Sequence, residues 1–510
     1  MEWFTLVYRI LEYLFLAYFL FYNSLQFFFL LIAAGKVRKR VAGRGFEDLD
    51  ILYDSPFTPP ITVVVPAYNE EKTIVESVTS LMKLRFPRYE IVIVNDGSTD
   101  ETLRVLREAF LMRKKDIDYD ESLTTAPVRG YYEAMIPLPP RITRFVLIDK
   151  ENGGKADALN AGINASLCPF FVSIDADSII DEEALLQALR EMLADDDVIA
   201  VGGQVAVLNG AEVQEGRVVR RNLPRSHLAR FQMVEYIRAF TIGRTALSHL
   251  GSLLIISGVF GVFRKEFVKR VGGYLTRFAT HRIVREYCGE SAETVCEDME
   301  IVVRLHRYLK EMGLKKRISY VPHPLCWTEV PEDTGNLGRQ RNRWHRGLIE
   351  TLSFHRKMFL NPEYGIVGLF AYPYFFFFEY LGAIVEGLGY LTLPLLWFLD
   401  SFNTTYFVSF LLASVGYGTL ISVASLFIGL WPEVLRESDF SHATLIRFDR
   451  ESDALLLVLY AFLENLGYRQ LNVFWRVKAT FDYFRGKKGW EKFDRIGFGS
   501  SGKEALEGKN

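Results

Sequence analysis

The sequence predicts an α/β protein, with one domain built on a mostly parallel sheet and set between apolar helices able to cross a membrane. Three observations predict it. Apolar, Phe-rich runs occupy both ends of a chain of 510 residues that contains 40 Phe. Between them, from about residue 60 to 335, apolar runs of strand length alternate with charged stretches of helical period, the pattern of a parallel sheet with crossover helices. The length also exceeds what one ordinary core organises. A net charge of −2 and a pI near 6.5 give no electrostatic footprint for nucleic acid. Cys168, Cys288, Cys296 and Cys326 show neither C-x-x-C spacing nor a His pattern, so reduced thiols are expected rather than a zinc site or a disulfide framework.

Residues 4–34 form one long apolar run with Arg9 and Glu12 near its start. No small-residue cleavage site follows a short apolar core, so residues 1–35 are expected to be a retained membrane helix. Residues 36–59 are a linker that opens with Lys36, Arg38, Lys39, Arg40 and Arg44. By the positive-inside rule this end is cytoplasmic, which places the following domain, 60–335, on the cytoplasmic face of the plasma membrane.

Within that domain, ITVVVPAYNE (61–70) reads as a buried strand ending in a turn and EKTIVESVTSLMKL (71–84) as a helix. YEIVIVNDGSTDET (89–102) is a second strand, running into Asp96 and a Ser-Thr-Asp helix start. Residues 108–144 contain prolines and read as an irregular surface insertion. RFVLIDKENGGKADALNAGINAS (144–166) gives a strand, a turn at Gly153 and Gly154, and a helix led by Lys155, which is placed to reach a phosphate. In FFVSIDADSII (170–180) an apolar strand runs from Phe170 to Ile174 and then places Asp175 and Asp177 one residue apart at its end. On an extended chain, residues i and i+2 point the same way, so both carboxylates address one point. At about 4 Å they repel by roughly 4 kcal/mol at an effective dielectric near 20. A divalent cation removes that cost, and an oxygen-only pair suits Mg2+ or Mn2+, which keep waters and share a substrate's phosphates. Taken singly, such a pair is more often a solvated turn, and such a lysine an exposed helix start. Together, Tyr68, Glu70, Asp96, Asp175 and Asp177 fall at the carboxyl ends of strands, where ligands bind in sheets of this kind.

Downstream, ISGVFGVFRKEFVKRVGGY (256–274) carries Ser257, Gly258 and Gly261, with glycines that permit close backbone approach. ETVCEDMEIVVRLHRYLKEMG (293–313) reads as a helix whose first turn holds Glu297 and Asp298, a placement the helix dipole alone would explain. RQRNRWHRGLIETLSFHRKMF (339–359) interleaves arginines with Trp344, Leu348, Leu352 and Phe359. One apolar and one cationic face predict an amphipathic helix on a membrane surface over 336–364. Residues 366–399 and 404–430 are each long enough to span. Glu379 and Glu386 share one helix face in the first; they either line a path for polymer or pair with arginines. Residues 431–453 are charged and expected at the cytoplasmic surface. Residues 454–484 are interrupted by Glu464, Asn465, Gly467, Arg469 and Gln470, which favours a re-entrant or interfacial helix pair closing the 365–485 region, with the basic tail 486–510 inside. Trp490 stands among lysines in that tail, a pattern that also suits a disordered segment.

As a set, VVVPAYNEEKTI, VNDGSTDET, NGGKADALNAGI and SIDADSII resemble the successive motifs of family 2 glycosyltransferases, and the resemblance covers most of residues 60–350. It implies the GT-A fold, a Rossmann-like sheet domain. It implies that the region of Pro66, Tyr68, Glu70 and Asp96 holds a nucleotide sugar's base and ribose, that Lys155 lies near the nucleotide, and that Asp175 and Asp177 carry metal and diphosphate. Ser257 and Gly258 would lie beside an acceptor sugar, and Asp298, next to Glu297, would be the general base of an inverting transfer. Gln340-Arg341-Asn342-Arg343-Trp344 matches the Q-x-x-R-W motif of processive members such as cellulose, hyaluronan and poly-N-acetylglucosamine synthases. There Gln340, Arg341 and Arg343 would meet the diphosphate side and Trp344 would stack on the acceptor. The F-x-V-T motif of the cellulose synthases is absent. The expected partners are a UDP-sugar, a glycan acceptor, the lipid bilayer and an export partner of unknown kind. A transferase of single sugars to a lipid carrier generally lacks Q-x-x-R-W; a transporter with a nucleotide-sensing domain would carry repeated helix bundles, and no repeat is evident.

Overall fold

A computed structural model describes residues 2–42, 47–214, 216–398, 403–434, 451–487 and 489. Its centre is the expected sheet. The strands are β1 (Ile61–Ala67), β2 (Tyr89–Asp96), β3 (Arg113–Lys114), β4 (Val128–Glu133), β5 (Ile142–Lys150), β6 (Phe170–Ile174), β7 (Ile179–Ile180), β8 (Val198–Val207), β9 (Ala211–Gln214), β10 (Arg217–Arg221), β11 (Phe260–Arg264) and β12 (Arg317–Thr328). Ten of them form one sheet in the order β3-β4-β5-β2-β1-β6-β11-β8-β12-β7, and β9 and β10 form a separate hairpin. The middle run β5-β2-β1-β6 is parallel throughout, while β11 enters antiparallel between β6 and β8. Val63, Val64, Ile91, Val92, Val146 and Val172 are fully buried, as central strands covered on both faces require.

The stretch 108–144 is not the irregular insertion expected from its prolines. It supplies β3 and β4, which extend the sheet antiparallel to β5. Gly130-Tyr131-Tyr132 pairs with Asp149-Ile148-Leu147, and the exposed, charged β3 blunts the sheet edge. Strand β6 ends at Ile174, as expected, but the chain does not stay extended beyond it: the Ser178 N–H donates to the Asp175 carbonyl at 3.1 Å. The two aspartates therefore sit in a turn, not on an extended strand, because the chain must fold back into β7.

Helix Glu297–Glu311 is anchored by a buried ion pair. Arg304, fully enclosed, donates to Glu300 at 2.8 and 3.0 Å and to the carbonyls of Val271 and Gly273, each at 2.7 Å. Cys288 and His355 approach the same Glu300 carboxylate at 3.4 and 3.3 Å. This is the one grouping of metal-ligand type among the described residues, but Arg304 occupies both Glu300 oxygens, so it is a packing cluster. All four cysteines are free.

Among the described residues, three helices are long and apolar enough to cross a membrane: Arg9–Lys39, Val367–Thr392 and Thr404–Leu430. The final apolar region forms two helices, Glu451–Leu463 and Tyr468–Phe484, as its interrupting polar residues imply. Trp490 and residues 435–450 lie outside the described residues. Helix Thr334–Phe354 differs from expectation. It is not one-sided on a surface: Gln340, Arg341, His345 and Arg346 are buried, and the helix packs along Tyr468–Phe484. Its charges are consumed there. Asn342 donates to Asp482 at 2.8 Å, and Arg346 donates to the Lys487 and Gly489 carbonyls at 2.7 and 3.0 Å.

Candidate active site

Pro66, Tyr68, Glu70, Asp96, Lys155, Asp175, Asp177, Ser257, Gly258, Glu297, Asp298, Gln340, Arg341, Arg343 and Trp344 all border one cavity of about 2700 Å³. Asp175, at the turn after β6, meets Lys155 Nζ at 2.6 Å, and the same nitrogen reaches Glu297 at 3.0 Å and the Gly258 carbonyl at 3.2 Å. Lys155 thus ties the turn after β6 to the first turn of helix Glu297–Glu311. Asp177 is buried on the same wall.

Asp298 is fixed by two backbone donors, Gly258 N–H to Oδ2 and Met299 N–H to Oδ1, each at 2.9 Å. Burial and the neighbouring Glu297 charge push the Asp298 carboxyl up from the ordinary aspartate value. Burial acts on Glu297 in the same sense, but Lys155 and Arg343 outweigh it and hold Glu297 low. Two adjacent carboxylates are therefore pulled apart, one firmly ionised and one poised to take a proton. Gly258 stands between these groups: a Cβ there would lie 3.0 Å from Lys155 Nζ and 3.4 Å from both Asp298 Oδ2 and Glu297 Oε1. Gly258 thereby brings bare backbone to the carboxylates.

The Asp96 carboxylate is turned inward. It accepts from Lys150 Nζ at 2.7 Å and from the Gly153 and Gly154 N–H groups at 3.0 and 2.8 Å. Its contribution is to shape the glycine turn that presents Lys155. Pro66, Tyr68 and Glu70, after β1, border the cavity beside it.

Among the Gln340–Trp344 residues, Arg341 does not point a free fork at the cavity. It is held bidentately by Glu235 at 2.8 and 2.9 Å, with Tyr468 donating to the same carboxylate at 2.6 Å, and its guanidinium lies 4.6 Å from the Trp344 ring centre. Arg343 acts electrostatically on Glu297. Helix Thr334–Phe354 is pressed onto the Glu297 loop at Gly347, where a Cβ would fall 2.3 Å from Cys296 Cβ and 2.6 Å from Sγ. Glu350 adds two hydrogen bonds, from Thr294 Oγ1 and Val295 N–H, each at 3.0 Å. Gly347→Val is expected to push this helix off the loop, cutting turnover more than tenfold and lowering the melting temperature. Steady-state assay and thermal unfolding check it.

The cavity continues past Asp298 and Trp344 to the apolar helices, where Glu379, Glu386, Glu464 and Arg469 line it. Both glutamates of the Val367–Thr392 helix do pair with arginines: Glu386 with Arg469, and Glu379 with Arg476 at 3.6 Å. Arg238 pairs with Glu464, which also accepts from Ser422 at 2.8 Å. Glu235, Arg238 and Tyr468 were not evident from sequence. Their partners lie more than one hundred residues away, and no local spacing signals them.

A sheet whose strand ends gather paired carboxylates, a lysine at a glycine turn and a buried aspartate has the layout of a group-transfer enzyme. The model of Glycosyl transferase family 2 matches residues 62–122, and that of Glycosyl transferase family group 2 matches residues 170–430. The chain belongs to this family and is a family 2 glycosyltransferase. It is 28% identical over 293 residues to poly-beta-1,6-N-acetyl-D-glucosamine synthase of Staphylococcus epidermidis, and equally to that of Staphylococcus aureus strain COL; each match covers 57% of this chain and 55% of the relative. The matched part thus spans about half the length of these relatives. Among solved structures, a mannosyltransferase from Pyrobaculum calidifontis in complex with GDP-Man and Mn2+ is similar at a TM-score of 0.46 and 16% identity, covering 94% of this chain and 100% of that one. Residues 1–349 of S. aureus TarS in complex with UDP give 0.36 and 15%, covering 86% and 94%.

Proposed function

We propose that the protein is an inverting, processive polysaccharide synthase. It transfers a sugar from a UDP-sugar to the end of a β-linked glycan and passes the growing chain outward between its own helices. The observation that carries this reading is the continuity of one cavity from Asp175, Asp298 and Trp344 to Glu379 and Glu386. The likeness to poly-N-acetylglucosamine synthases supports it. In this reading residues 60–335 form the cytoplasmic catalytic domain of a multi-pass plasma-membrane protein.

The roles divide by position. Pro66, Tyr68 and Glu70 border the nucleotide, with Asp96 acting through the Gly153–Gly154 turn. Asp175 and Asp177 hold Mg2+ or Mn2+: their donors are oxygens only, and Asp175 already draws a cation in Lys155. When bound, the metal neutralises charge on the leaving diphosphate. Lys155, Gln340 and Arg343 steady the diphosphate side, Arg341 fixes the helix through Glu235, and Trp344, Ser257 and Gly258 place the acceptor. Asp298 takes the proton from the acceptor hydroxyl as that oxygen attacks the anomeric carbon. The bond to diphosphate breaks on the opposite face, so configuration inverts.

The test is UDP release by detergent-purified protein across nucleotide sugars with Mg2+ or Mn2+, followed by sizing of the product. A long carbohydrate is expected, together with loss of turnover in EDTA that Mn2+ or Mg2+ restores. Addition of one sugar, or transfer only to lipid, would replace this reading with the lipid-carrier transferase.

A further inference from the structure

Helix His227–Tyr236 runs on through a π-helical segment, Ile237–Arg244, which packs against the N-terminal helix and against Tyr417–Val434. π-helical turns are uncommon and recur at functional sites. Arg244 closes this one and borders the large cavity. Its guanidinium lies 4.0 Å from the centre of the Phe240 ring. Among the described residues it forms no ion pair, and its Nη1 is shut from solvent with no acceptor.

That sets it apart from four other arginines of the cavity. Arg238, Arg341, Arg469 and Arg476 border the same cavity, and each has a carboxylate: Glu464, Glu235, Glu386 and Glu379. A half-buried cation with one nitrogen shut from solvent and no acceptor is costly to keep. A ligand that supplies oxygens removes that cost.

The position narrows which ligand. Lys155 occupies the Asp175 side of the carboxylate pair. Arg244 comes from the segment packed on the apolar helices, and its charge bears on Asp298. This is the side from which an acceptor chain reaches the base. A guanidinium has five N–H donors in a fixed plane and no acceptor, and stacking on Phe240 holds that plane. Ring and hydroxyl oxygens of a pyranose match it.

We propose that Arg244 is a further substrate-binding residue, donating hydrogen bonds to the terminal sugar of the acceptor beside Asp298. The inference rests on the polysaccharide-synthase reading. The experiment uses full-length protein in detergent, UDP-N-acetylglucosamine as donor and β-1,6-linked N-acetylglucosamine oligomers as acceptor. It compares wild type with Arg244→Met and Arg244→Lys. Loss of charge-assisted hydrogen bonds is expected to raise the oligomer KM about 10- to 100-fold in the Met variant, with shorter products. The donor KM and the affinity for UDP stay at wild-type values, and the Lys variant, with its single donor group, falls between. An unchanged oligomer KM, or a loss of UDP affinity by the same factor, overturns the proposal. Retained UDP binding certifies the fold, and where the Met variant fails that criterion the Lys variant carries the same comparison. A wild-type protein that releases UDP but leaves the oligomers unextended overturns the polysaccharide reading itself, and the inference with it.

Discussion

Asp298→Asn is expected to lower kcat by about 100- to 10,000-fold, the range contributed by a positioned general base, while UDP affinity stays near the wild-type value. The substitution keeps the side chain's shape and, through its single amide oxygen, one of the two contacts with the Gly258 and Met299 N–H groups, so the side chain stays in place. What disappears is the ability to accept a proton. UDP affinity measured beside single-turnover transfer separates the two effects: weak binding with preserved turnover would contradict the assignment. The pH profile gives an independent check. Asp298 works only when ionised, so activity is present above its pKa and is lost as pH falls through it. Burial and Glu297 raise that pKa, so the acid limb of kcat/KM belongs above the ordinary aspartate range near 3.9. A limb below that range would mean that another carboxylate serves as base.

Glu300→Gln is expected to destabilise the protein by about 3–5 kcal/mol, the cost of leaving a buried charge without its partner. Arg304 would remain enclosed with only carbonyls to face. Burial alone would raise the Glu300 carboxyl, but Arg304 and His355 outweigh it and hold it at about 2. Its ordinary value is 4.5, so its contribution is complete above about pH 4.5 and is lost as pH falls from there through about pH 2. Chemical unfolding at neutral pH checks the magnitude. The paired change Glu300→Leu with Arg304→Met should cost less than either single change, since neither leaves a charge stranded.

Much of this site was legible because its residues sit where buried strands stop. Val63–Val65 and Ile91–Val94 are continuous apolar runs and Phe170–Ile174 is broken only by Ser173, so the polar residues that end them mark the carboxyl edge of the sheet without any tertiary information. Strand β4 was hidden because Val128–Glu133 is only partly buried and lies next to prolines, so its pairing with β5 decides its state. The helix Thr334–Phe354 misled for a different reason. Arginines beside Trp344 and Leu348 look alike whether their charges meet lipid headgroups or groups of the same protein, and only Glu235 and the Lys487 and Gly489 carbonyls distinguish the two. Arg244 was passed over because a single arginine in an apolar stretch has no spacing to betray it.

The arginine–glutamate pairs along the cavity bear on energetics. Arg238 with Glu464, Arg469 with Glu386 and Arg476 with Glu379 place equal numbers of both signs along its wall. A transmembrane voltage does work of about 2.3 kcal/mol per elementary charge per 100 mV on anything charged that crosses. An uncharged glycan moving past balanced, stationary pairs carries no current. Secretion by this route would therefore be indifferent to the membrane potential, and glycosyl transfer itself would have to drive it.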